Sequence, residues 1–226
     1  VEKNLNNKLE NFNIKTKRVN EELIKAIALI KIAAAEANKK AGKLDENIAN
    51  AIKEAANDLI VGNYIDAFML PSIQGGAGTS TNMCINEVIA NIALEKMGQS
   101  KGDYHIINPL DHVNHSQSTN DVYPTAVKIA SIKLLRELLD ETMALQQELQ
   151  NKEKEFSNVL KTGRTQFQDA VPLTLGQEFG AYAEAISRDR WRIYKIEERI
   201  RRVNIGGTAI GTGVGASGKY RYYVTE

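Results

Sequence analysis

Cysteine is nearly absent from this 226-residue chain: Cys84 stands alone, so no disulfide framework and no thiolate metal site can form. Charge of one sign is missing too. The formal net charge is +1, which argues against the basic footprint of a nucleic-acid binder. Aromatic residues make up 6% of the chain, too few for a base-stacking surface. The longest apolar run, Ala26 to Ala35, is interrupted by Lys31 and is far too short to span a bilayer. No signal peptide is legible at Val1, so the expectation is a cytoplasmic protein without a membrane partner. Four prolines leave long stretches free to be helical.

Those stretches carry helical periodicity. Glu21 to Lys40 places Leu23, Ile27, Ile30 and Ala34 on one face, with Gly42 just beyond its end. Leu44 to Ile60 repeats the pattern through Ile48, Ile52, Ala55 and Leu59, and Asn82 to Met97 predicts a third helix ended by Gly98. After Pro109 the texture changes. Asp121 to about Ser157 lacks glycine, has Pro124 in its first turn, and carries a stripe of Val127, Leu134, Leu138, Leu145 and Leu149. Leu175 to Val203 predicts a comparable helix with Tyr182, Ile186, Ile193, Ile196, Ile200 and Val203 facing one way. Two long helices joined by an ordered polar loop make part of a bundle. They cannot cover their own stripes, so further helices must come from elsewhere.

Three clusters set hydroxyl and carboxamide side chains beside glycine or next to a long helix: Gly75–Asn82, Ser116–Asp121 and Gly163–Asp169. A helix start exposes unpaired N–H groups and favours anions. Any one cluster reads equally as a cap, with Thr79, Ser80 and Thr81 or Asn120 and Asp121 closing a helix end. Three with hardly a charge among them point to a donor-rich pocket for a small anion. His105, His112 and His115 are the only histidines; His112 and His115 have metal-compatible spacing but no third ligand follows, so no metal is expected. Thr208–Gly215 is glycine-rich, yet no Gly-Lys-Ser/Thr or preceding strand makes it a phosphate loop.

The stretches GGAGTSTNMCINEVIAN (75–91), DHVNHSQSTNDVYP (111–124) and GRTQFQDAVPLTLGQEF (163–179) closely resemble the aspartase/fumarase superfamily, in unbroken order from about Glu10 to Glu226. Within it, Ser118-Thr119-Asn120-Asp121, Gln166 and the wording of Gly78–Asn82 are most similar to the aspartate ammonia-lyase branch. Fumarate hydratase is the nearest rival, and a helical assembly fragment without chemistry is the third reading. The resemblance implies an all-α fold, with residues 1–109 belonging to an N-terminal helical domain and 110–226 to the first part of a central long-helix bundle. It implies a homotetramer whose sites draw residues from several subunits. It implies that Thr79, Ser118 and Thr119 hold the β-carboxylate of L-aspartate, that Asn120 lies near its amino group, and that Thr165 and Gln166 contact the α-carboxylate or amino group. Elimination would then give ammonia and fumarate with no organic cofactor. The family's catalytic serine loop, Gly-Ser-Ser-x-Met-Pro-x-Lys-x-Asn, has no match here, nor have its N-terminal signatures in Val1–Leu9. Cys84 stands where asparagine is expected. The chain thus matches about half of a family member, expected to be inactive by itself.

Overall fold

The structure, a computed structural model, describes residues 17–73 and 76–226. Val1–Leu9 and Gly75, which entered the expectations above, lie outside the described residues. Helix α1 spans Glu21–Lys40, α2 Glu46–Ile60 and α3 Thr79–Lys96; a π-helical turn occupies Pro109–Val113. Then come α4 (Thr119–Glu155), strands β1 (Leu160–Thr165) and β2 (Gln168–Thr174), α5 (Leu175–Ile200) and the short α6 (Gly218–Tyr223). The fold is helical, as expected. The connection between the two long helices is the exception: the expected polar loop is an antiparallel hairpin.

Local chemistry explains the boundaries. Asn20 caps α1 by accepting from the Glu22 amide at 2.9 Å, with Glu21 and Glu22 in the first turn and Lys39 and Lys40 in the last, which suits the helix dipole. Asp45 accepts from the Asn47 and Ile48 amides, so α2 starts at Glu46 rather than Leu44. Helix α3 starts earlier than its apolar pattern suggests because Gly78, at φ +83°, can serve as its N-cap. The 37 residues of α4 extend about 55 Å at 1.5 Å per residue. Because α4 begins at Thr119, Pro124 sits in its second turn, not its first, and the Asn120 carbonyl lacks the amide that would otherwise pair with it.

Compact packing does not follow the division at 109/110. One unit contains the chain up to Ala130 together with Val203–Glu226, and the other is Ser131–Arg202. In the first, Ile24, Ile27 and Ala28 of α1 pack with Ile52, Ala55 and Leu59 of α2 and with Ile85, Ile89 and Ala93 of α3. Val122, Ala126 and Ala130 join the same core, which is why the early turns of α4 group with it. Cys84 packs against this core from its edge, consistent with a packing role. Tyr220 of α6 is fully buried against Ala34 and Ala37.

In the second unit, Phe156 and Phe179 meet with ring centroids 5.7 Å apart, and Gly176 allows close approach: a Cβ there would lie 2.5 Å from the Glu153 carbonyl. Arg136 reaches Glu197 at 2.7 Å. Much of the predicted stripe stays open to solvent, with Leu134, Leu138 and Leu145 between 42% and 51% exposed.

Candidate active site

Thr79, Ser118, Thr119 and Asn120 belong to the first unit, Thr165 and Gln166 to the second. Thr79 opens α3. Its side chain is exposed, and the cap position belongs to Gly78, so Thr79 is not the residue that caps the helix. Gly78 is buried against Tyr123: a Cβ would fall 2.3 Å from the ring. Glycine is required there twice over, by its positive φ and by the ring.

The Ser116–Asp121 cluster divides between capping and display. Ser118 Oγ accepts from the Asn120 amide at 3.2 Å and Asp121 Oδ1 accepts from the Ser118 amide at 2.9 Å, a reciprocal cap on α4. Asp121 also accepts, through Oδ2, from the Thr208 amide at 2.9 Å, so the glycine-rich turn is pinned to the head of α4. The capping reading therefore holds for Asp121 but not for Asn120, and Ser118, which that reading leaves out, supplies the other half. Thr119 does something else: its Oγ1 accepts from Asn82 Nδ2 at 3.0 Å, which leaves its own O–H to donate elsewhere. Asn120 is exposed and donates through Nδ2 to the Ala209 carbonyl at 2.7 Å, leaving Oδ1 as an acceptor suited to an ammonium.

Thr165 ends β1, and Gln166 with Phe167 forms the two-residue turn to β2, at φ +49° and +60°. Both donors are exposed at this tip. Arg164 and Asp169 pair at 3.3 Å just behind it.

Sequence reasoning passed over the polar layer beneath the loop. Lys31, wholly buried, donates to Asn114 Oδ1 at 3.0 Å and Gln117 Oε1 at 2.9 Å. Asn82 and Asn86, one turn apart on α3, both reach Asn114 Oδ1, at 3.3 and 3.2 Å. Asn38 donates to the His115 carbonyl at 2.9 Å and accepts from Ser116 Oγ at 2.8 Å. Burial takes the Lys31 ammonium down to about 7, opposed by the nearby Asp121 carboxylate. A signal existed: lysine inside an otherwise apolar run, and asparagines at helical spacing on a buried face.

The histidines have ordinary partners. His112 Nδ1 accepts from the Asn108 amide at 2.9 Å, and burial lowers its ring below the usual range. His115 Nδ1 lies 2.9 Å from the Asp111 carbonyl, and His105 Nδ1 2.9 Å from Asp103. No grouping of metal-ligating side chains occurs among the described residues, and none of their helices is long and apolar enough to cross a membrane.

A family described as lyase matches residues 4–226, nearly the whole chain and every cluster above. The chain belongs to this lyase family. As a lyase it is similar to the aspartate ammonia-lyase of a Bacillus species, at 50% identity over 217 residues, which is 96% of this chain and 46% of that protein. It is similar to the aspartate ammonia-lyase of Helicobacter pylori (strain ATCC 700392 / 26695), 51% identical over 203 residues, 90% of this chain and 43% of that one. Among solved structures, a fumarate lyase:delta crystallin from Brucella melitensis superposes with a TM-score of 0.90 at 46% identity, covering 96% of this lyase chain and 47% of its own. A class II fumarase from Schistosoma mansoni gives 0.88 at 34%, covering 96% and 46%. The chain spans a little under half the length of the curated relatives it matches.

Proposed function

We propose that the protein is an aspartate ammonia-lyase, eliminating ammonia from L-aspartate to give fumarate. The observation that carries this is the agreement between the relatives, half of whose aligned residues are shared, and the Ser116–Asp121 loop, whose Thr119 hydroxyl is free to donate. Removing the C3 proton beside a carboxylate builds charge on that carboxylate. Neutral hydroxyl donors aimed at its oxygens stabilise the aci-carboxylate without the cost of an opposing charge. Thr79, Ser118 and Thr119 fill that role in this reading, with Oδ1 of Asn120 accepting from the substrate's ammonium. Thr165 and Gln166 hold the α-carboxylate or amino group from a hairpin. The base in this reading is a serine of the family's loop, and none of the residues assigned here takes that role.

The reading extends to assembly and place. Residues 1–109 act as part of an N-terminal domain and 110–226 as the opening of the central bundle. The uncovered stripes of α4 and α5 meet those of other subunits in a homotetramer, in the cytoplasm. The similarity to a class II fumarase keeps fumarate hydration as the second reading. Ammonia release from L-aspartate, compared with water addition to fumarate by the whole protein, separates the two. Malate formation without ammonia release overturns the first.

A further inference from the structure

The loop that leads into α4 is tied to α1 by a buried charged group, Lys31. Its side chain is 0% exposed in the middle of α1, between Ile27, Ala28, Ile30 and Ala35 of the same core, and it makes no ion pair among the described residues. Packing alone does not account for it. A methionine would fill the same space without taking an ammonium out of water.

The bonds it makes all run one way, toward the loop. Nζ donates to Asn114 Oδ1 and Gln117 Oε1. Asn114 passes the hold along: its Nδ2 donates to the Gln117 carbonyl at 3.3 Å, while its Oδ1 gathers Asn82 and Asn86. Asn82 in turn donates to Thr119 Oγ1. Gln117 Nε2 donates to the carbonyls of Val113 and His115, at 3.0 and 3.1 Å, closing the turn that precedes Ser118.

We propose that Lys31 is a positioning residue: by clamping Asn114 and Gln117 it sets the place and direction of the Ser118 and Thr119 hydroxyls. This rests on the reading of that loop as the carboxylate holder. Lys31 itself touches no substrate.

The test is kinetics and binding with the whole protein, wild type against Lys31→Met. The expected result is a fall of at least tenfold in kcat/KM for L-aspartate. Affinity for succinate, a dicarboxylate that cannot react, should weaken in step, with no fall in the melting temperature. A residue that only supports the fold would lower the melting temperature and leave succinate affinity in the folded protein unchanged. Asn114→Leu and Gln117→Leu each remove one of the two Lys31 contacts from the loop side, where both side chains are half-buried, and a loss of succinate affinity in both decides the matter should Lys31→Met fail to fold. Wild-type succinate affinity and kcat/KM within twofold, in whichever variants fold, overturn the proposal. A wild-type protein that releases no ammonia yet loses succinate binding in the variants would sink the aspartase reading and keep this one.

Discussion

Burying an amine where no carboxylate pairs with it makes stability depend on pH in a direction opposite to that of most surface lysines. Lys31 titrates at about 7 in the folded chain against an ordinary 10.5, a difference worth about 5 kcal/mol at most. Between those values the unfolded chain holds the proton and the folded chain does not, so stability rises with pH across that window. Below the window both states are protonated and the full penalty stands; above it both are neutral and the penalty is gone. Lys31→Met removes the proton altogether. Its stability advantage over wild type should therefore be flat below pH ~6 and shrink by about 2 kcal/mol between pH ~7 and ~9. Loss of the Lys31 bonds to Asn114 and Gln117 subtracts a roughly constant amount, on the order of 1–3 kcal/mol, without changing that slope. Equilibrium urea unfolding of both proteins at several pH values reads the difference directly, and titrations common to both cancel. Parallel curves from pH ~6 to ~9 would refute the reasoning, because they would mean that Lys31 keeps an ordinary proton affinity in the fold.

Other consequences are as open to measurement. Thr79→Ala, at an exposed side chain that caps nothing, should lower turnover by roughly 10²–10³ while leaving the melting temperature alone; a variant that melts earlier with normal turnover would restore the capping reading. Thr119→Ala should show a similar kinetic loss together with about 1 kcal/mol of instability, since Asn82 loses one of its two acceptors. Gly78→Ala combines a left-handed backbone, costing about 1–2 kcal/mol, with the Tyr123 ring in the way, and should destabilise by more than the backbone term alone in thermal melts. Light scattering of the whole protein should give a tetramer at micromolar concentration, and a stable monomer would count against the covered-stripe argument.

The helices were legible because their signals are local. Apolar spacing and the glycines at 42 and 98 place α1, α2 and α3 within about a turn of where they lie, although the Asp45 cap that starts α2 went unread. The hairpin was not. Leu160–Thr174 has little alternation of apolar and polar residues, carries Gly163 and Pro172, and turns on Gln166-Phe167 in place of the usual glycine or asparagine. A two-stranded ribbon has only edge strands, which is why Pro172 fits where a central strand would exclude it. The donor clusters could be read from residue types, but not the split within Ser116–Asp121 between cap and display. That depends on Asn82, 37 positions earlier, reaching Thr119 from α3. Lys31 escaped because a single lysine in an apolar run reads as an interruption until its partners, more than eighty positions away, are known.

The same hairpin has a consequence in time. Gln166 and Phe167 both hold left-handed backbone, which side-chain-bearing residues adopt only at a cost, and Phe167 has no cover among the described residues. The ribbon buries almost nothing of its own along β2, and a register irregularity between Thr162 and Arg164 breaks its ladder. Little opposes its opening, so its amides should exchange with solvent orders of magnitude faster than those of α1 and α3, which carry much of the buried core. The two proposed site residues it carries are therefore on a different clock from the four proposed at the heads of α3 and α4. Of those four, Ser118, Thr119 and Asn120 draw their preorganisation from hydrogen bonds within the fold. For Thr165 and Gln166 it has to be conferred each time something settles against the tip.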